Sequence, residues 1–128
     1  MKAKFLICFA IVVLGLITGA RPALAHHGNS AYNTSQPYTV SGTVVEFQFL
    51  NPHCIITMET KDASGTTQRW QGELTSPNHL LRAGWTAESL KPGDQVTLTG
   101  WRAKSGSNSL WITKTVVNGQ ELKTVAGN

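Results

Sequence analysis

Residues 38–49 read YTVSGTVVEFQF, and this stretch decides the fold. It is filled with β-branched and aromatic residues, whose stiff side chains favour a pleated strand over a helix. It is long for a strand, and Gly42 sits inside it. A glycine within a long strand marks a bend or bulge, which a small barrel needs in order to close. On its N-terminal side, HHGNSAYNTSQP (26–37) is polar and has no period, so it reads as an arm or leading loop. On the C-terminal side, Asn51-Pro52-His53 interrupts the pairing. CIITMET (54–60) then resumes as a second strand, and KDASG makes a turn. TTQRWQGEL (66–74) is a third strand, with Trp70, Gly72 and Leu74 on one face and Arg69, Gln71 and Glu73 on the other.

The alternation breaks at TSPNHLLRAGW. Ser76 is the expected N-cap, Pro77 suits a first helical turn, and Gly84 closes the helix at its C′ position. The helix is expected over 77–83, with a further turn of helix over TAESL (86–90). After the KPGD turn, QVTLTGWR (95–102) and SLWITKTV (109–116) form strands four and five around the loop AKSGSN. Three strands, a short helix and two strands make a mainly β chain. The order resembles the OB fold, a small five-stranded barrel with one short helix between strands three and four. Strands four and five are expected to pair antiparallel, and the helix to cover a barrel opening.

Residues 1–25 have the three parts of a cleaved signal peptide: Lys2 and Lys4, the apolar run FLICFAIVVLGLITGA, and small residues at Ala23 and Ala25. The run is shorter than the roughly 20 apolar residues of a membrane span. The expected organisation is a signal at 1–25, an arm at 26–37, a barrel at 38–123 and a frayed tail at 124–128, in the periplasm or secreted. The chain carries 11 Lys+Arg against 7 Asp+Glu, a net charge of +4. Three of those cations leave with the leader, so the remainder is near +1, and no basic cluster argues for nucleic acid. Cys54 is then the one cysteine left. No intrachain disulfide is expected, and its apolar neighbours make it a buried small hydrophobe.

TVSGTVVEFQFLNPHCIITMET followed by LTSPNHLLRAGWTAESLKPGDQVTLTGWRAKSGSNSL resembles DUF6152, a family of small secreted bacterial proteins of unknown function. The resemblance rests on a histidine pair after the leader, on Asn51-Pro52-His53, on Ser76-Pro77-Asn78 with Arg82-Ala83-Gly84-Trp85, and on the Lys91–Asp94 turn. It implies export and a single domain, and it implies no activity.

Four histidines survive the expected cleavage. A cut after Ala25 makes His26 the N-terminus, where its amine and imidazole can chelate one ion together. A third nitrogen would complete a site suited to copper(II). His53, at an irregular strand junction, is the first choice for that nitrogen, and His79 and His27 follow. Each has a plainer reading as surface or as a structural hydrogen-bonding group. No zinc spacing is present. The scattered carboxylates and the lone Cys54 nominate no catalytic arrangement. The competing reading is a binding module without metal, for an organic ligand or an envelope protein, with Trp101 and Trp111 neighbouring on one outer surface. A structural envelope protein is the third reading.

Overall fold

The computed structural model describes residues 28–124. The expected leader, His26, His27 and residues 125–128 lie outside the described residues. A 3-10 turn at Gly28–Ala31 leads into β1, Tyr32–Gln48. β1 thus starts six residues before the alternation becomes visible. A bulge between Tyr32 and Pro37 breaks the register there, so the sequence shows no period over those residues.

The order of elements is then β2 (Ile55–Lys61), β3 (Thr67–Glu73), α1 (Pro77–Arg82), β4 (Gln95–Ala103), β5 (Ser109–Val117) and β6 (Gln120–Leu122). β1 pairs antiparallel with β4 from Tyr32 to Thr43 and with β2 from Thr43 to Gln48. β2 pairs with β3, and β4 with β5, both antiparallel. The parallel pairing of β3 with β5 over three residue pairs closes a five-stranded barrel. β6 is a short hairpin addition to β5, turned by Asn118 and Gly119, both at positive φ, as two-residue hairpin turns require.

Gly42 lies where β1 passes from one partner to the other. A Cβ there would stand 2.3 Å from the Glu59 carbonyl oxygen, so the crossing needs a glycine. Gly100 answers the same need beside a register shift in β4, where a Cβ would meet the Trp111 carbonyl oxygen at 2.0 Å. Inside the barrel, Val44, Ile56, Met58, Leu98 and Leu110 are almost fully buried.

α1 is six residues long, and Ser76 stands at its N-cap. The Ser76 side chain makes no capping hydrogen bond. Its carbonyl instead accepts from the N–H groups of His79 and Leu80. The C-terminus ends as Gly84 suggests: Gly84, at φ +90°, donates to the Leu81 carbonyl, and Trp85 donates to that of Leu80. This turn carries Leu80 and Trp85 together into the core, and burying Leu80 stabilises the packing by about 2 kcal/mol. Residues 86–90 form turns and not the expected extension of helix. The Thr86 and Ser89 hydroxyls bond nearby backbone N–H groups, a local alternative to helical pairing. Among the described residues, no helix is long and apolar enough to cross a membrane.

Candidate functional site

Strand alternation sets the site. Trp70, Gly72 and Leu74 are buried, so Glu73 is carried on the outer face of β3. Leu110 and Ile112 belong to the interior cluster, so Trp111 between them faces outward. Glu73 lies beside Trp111 across the closing seam, and Trp101 lies opposite Trp111 on β4.

The Trp111 indole is covered. The Tyr32 ring lies over it at 6.0 Å between centroids, and the His53 imidazole meets it edge-on at 5.3 Å. Trp111 is 7 % exposed as a result, while Trp101 beside it is half-buried. One carboxylate joins the covering groups. Tyr32 donates its hydroxyl to Glu73 Oε2 at 2.6 Å, and His53 donates through Nδ1 to Glu73 Oε1. The Tyr32 oxygen also lies 3.5 Å from Ser109 Oγ. Burial, reinforced by the Glu73 hydrogen bond, pushes the Tyr32 phenol up to about 12.

Local structure explains why these groups meet. Cys54 N–H donates to the Thr75 carbonyl, and Leu74 N–H donates to that of Cys54. The segment carrying His53 is thereby tied to the end of β3. Cys54 itself is fully buried, and burial pushes its thiol up, away from the thiolate that reactivity or metal ligation needs. From the other side, Lys104 holds the 3-10 turn that precedes β1. Its N–H donates to the Ala31 carbonyl and its Nζ to the Ser30 carbonyl, both at 2.9 Å. Tyr32 is therefore delivered over Trp111 by the loop between β4 and β5.

Of the residues nominated from sequence, His53, Trp101 and Trp111 come together on this outer face. His79 sits on α1, where its Nδ1 meets Thr75 Oγ1 at 2.9 Å. His26 and His27 precede the described residues. Among the described residues, no three His, Cys, Asp or Glu side chains converge as a metal-binding group. Sequence reading missed Tyr32, Glu73 and Ser109. The outward direction of Glu73 was legible in the β3 alternation, whereas Tyr32 lay hidden in a stretch without period.

Two further aromatic groupings exist. Phe47 lies 5.7 Å from Phe49 and 6.0 Å from Trp85, between ring centroids. Trp85 is buried and donates its indole N–H to the Lys123 carbonyl at 2.7 Å, while neighbouring Leu50 is exposed. Elsewhere Tyr38 stacks on Trp70 at 5.3 Å, with the Arg102 guanidinium 5.2 Å from both rings. That guanidinium also bonds the 106–108 loop, which makes it a brace for the loop.

A comparison with curated proteins finds no match to the chain. A family model does match, over residues 13–111, most of the chain, and the protein belongs to that family, DUF6152, a family of unknown function.

Proposed function

We propose that this protein is an exported binding module on an OB-type barrel, and that it takes a non-metal ligand or a protein partner through its aromatic outer surface. The barrel closure through a parallel β3–β5 pair, with the helix between the third and fourth strands, supports the OB assignment. Export rests on the leader pattern of residues 1–25. The observation that carries the binding reading is the presentation of half-buried Trp101 and His53 on one outer face, backed by the buried Trp111 and Tyr32 rings, with a half-buried carboxylate among them. Such a face offers an indole edge for an apolar ring and polar atoms for hydroxyls. Half-buried Phe47 and Phe49, packed against buried Trp85 and continued by exposed Leu50, add a second apolar surface that suits the same class of role.

A ring-shaped polyol such as a sugar unit fits this combination best. The test is a tryptophan-fluorescence titration with a neutral oligosaccharide, chitotetraose, on the protein beginning at His26. Saturable quenching that Trp101→Ala abolishes supports the reading. Saturable quenching that survives in Trp101→Ala moves the site away from this face.

A second reading is favoured by one specific observation. Glu73 engages Nδ1 of His53, which is how proteins commonly orient an imidazole so that Nε2 can bind a metal. Tyr32, six residues after His26, bonds the same carboxylate. A copper(II) site using the His26 amine and imidazole with His53 Nε2 is the corresponding proposal. His27 and His79 are the reserve donors. Electron paramagnetic resonance of the copper-loaded protein should show nitrogen hyperfine structure. Binding should weaken strongly when one residue is added before His26, and more in His53→Ala than in His79→Ala. Equal affinity of the extended and authentic forms would remove the copper reading.

A further inference from the structure

β1 leaves part of one edge without a partner. β2 pairs with β1 only from Thr43 onward, while β4 follows β1 back to Tyr32. Between Pro37 and Thr43, therefore, β1 has a strand on one side only among the described residues.

The direction of the backbone groups along that edge follows from the pairing. Thr39 lies opposite Thr99 and Ser41 opposite Thr97, with hydroxyl contacts of 2.9 and 2.8 Å across the strands. Such close side-chain contact marks the non-hydrogen-bonded pairs of an antiparallel ladder. Val44, two residues beyond Gly42 and in the same phase as Val40 and Gly42, donates to the Asp94 carbonyl and accepts from the Gly93 N–H on the β4 side. The even residues thus face β4, and the N–H and C=O groups of Thr39 and Ser41 point away from it. Pro37 agrees: proline is tolerated in a strand where no ladder N–H is needed.

The opposite wall has the same character. Asp62 N–H bonds the Thr66 carbonyl within the β2–β3 hairpin, so the even residues of β2 face β3. Glu59 faces β1 and pairs with Thr43. Lys61, in the same phase, faces the gap, where no β1 residue pairs with it. Two adjoining clefts occupy this gap. One of about 350 Å³ is lined by Gly42, Thr43, Glu59, Thr60, Lys61 and Thr67. The other, of about 270 Å³, shares Thr60 and Lys61 and reaches Tyr38, Val40 and Trp70.

We propose that this slot between β1 and the β2–β3 hairpin binds an extended polypeptide segment by strand addition, with an acidic side chain of that segment at Lys61. The unmet groups are N–H donors and C=O acceptors repeating at the strand period. That pattern matches another polypeptide backbone, and exposed strand edges are recognised in this way. Glu59 and Asp62 line the same clefts, but Glu59 is paired with Arg69 and Asp62 accepts from Ser64, Thr66 and Gln68, whereas Lys61 makes no ion pair among the described residues, so its charge is available to a carboxylate. The Tyr38–Trp70 stack beside it offers an apolar contact for an alternate side chain. This surface is distinct from the Trp101–His53 face.

The test uses amide exchange and a defined probe, the blocked peptide acetyl-Thr-Val-Glu-Val-Thr-amide, at millimolar concentration with the protein starting at His26. In the free protein, the amides of Thr39, Ser41 and Lys61 should exchange far faster than those of Val40 and Gly42. Adding the peptide should slow Thr39 and Ser41 by about tenfold or more, as for newly hydrogen-bonded groups. Ser41→Pro removes the edge-facing N–H and the hydroxyl contact with Thr97 but none of the backbone bonds that Val40 and Gly42 make to β4, so it should fold with the β1–β4 ladder kept and lose the peptide effect, whereas Ser41→Ala, which loses the hydroxyl alone, should keep it. Lys61→Glu should weaken the acidic probe and accept a version with lysine in place of glutamate. Slow exchange of Thr39 and Ser41 in the free protein, no effect of the peptide, or equal binding by folded Ser41→Pro would each overturn the proposal.

Discussion

The Tyr32 hydroxyl shows how much can hang on one atom. Its oxygen is part-buried, and its proton is given to a carboxylate that also holds His53. An ionised phenol would face the Glu73 charge in a partly desolvated place, so the neutral form is favoured in the fold. The folded pKa of about 12 lies above the ordinary value of 10.0. A raised value of this kind makes the folded protein hold the proton that the unfolded chain releases. The stability it contributes is fully present below pH 10 and is lost as pH rises from 10 to 12, by about 2–3 kcal/mol. Urea unfolding across that range should show the fall, and Tyr32→Phe should flatten it while costing about 1 kcal/mol at neutral pH. Absorbance titration of phenolate should find one tyrosine ionising late. A slope that persists unchanged in Tyr32→Phe would assign the effect elsewhere.

At the scale of elements, the barrel turns its corners at glycines. Gly42 was legible in the sequence because it interrupts a long β-branched run. Gly100 was not, since TLTGWR reads as an ordinary strand and only the approach of β5 reveals the constraint. Gly100→Ala should cost about 2–4 kcal/mol, because the obstructing atoms are backbone and have no rotamer to give way. Denaturant midpoints would measure it, and a cost below about 0.5 kcal/mol would mean that the β4–β5 pair shifts freely. The turns offer a second check. Asp62 accepts from Ser64, Thr66 and Gln68, and Asp94 from Asn118 and the Lys91 N–H. These hydrogen bonds hold both carboxyls below their usual range. Their contribution is present above the unfolded value of 3.8 and is lost as pH falls through the lower folded values. Acid unfolding should therefore begin below pH 3.8 at these turns, and Asp94→Asn should leave a shallower acid limb. The helix was legible for a local reason, since Pro77 and Gly84 bracket it within one short segment. The turn at 86–90 was not, because Thr86 and Ser89 suit a helix start and a hydroxyl-bonded turn equally well.

For the whole molecule, the closing seam matters most. β3 and β5 meet over only three residue pairs, and Tyr32 from the start of the described chain clasps that seam from outside. The strands and the antiparallel β4–β5 hairpin follow from local alternation and turn residues, so a small barrel was legible from sequence, whereas the β1–β4 pairing and the parallel β3–β5 closure join distant segments that alternation does not relate. The candidate site was legible only in part. His53 and the two tryptophans were nominated by type and phase, but their common partner Glu73 joins β3 to a side chain forty-one positions earlier. No periodicity records a contact of that length. The clasp makes a definite prediction. Tyr32→Ala deletes a buried ring and its hydrogen bond, a loss of about 2–4 kcal/mol. If the clasp acts on the seam, amide exchange should accelerate first at Gln71, whose N–H reaches the Asn108 carbonyl, and at its neighbours along β3 and β5. The β1–β4 ladder would keep most of its protection, and Trp111 emission would move to the red as water reaches the indole. A uniform acceleration over all strands would show that the ring supports the barrel as one cooperative unit, and that β3 and β5 do not open on their own.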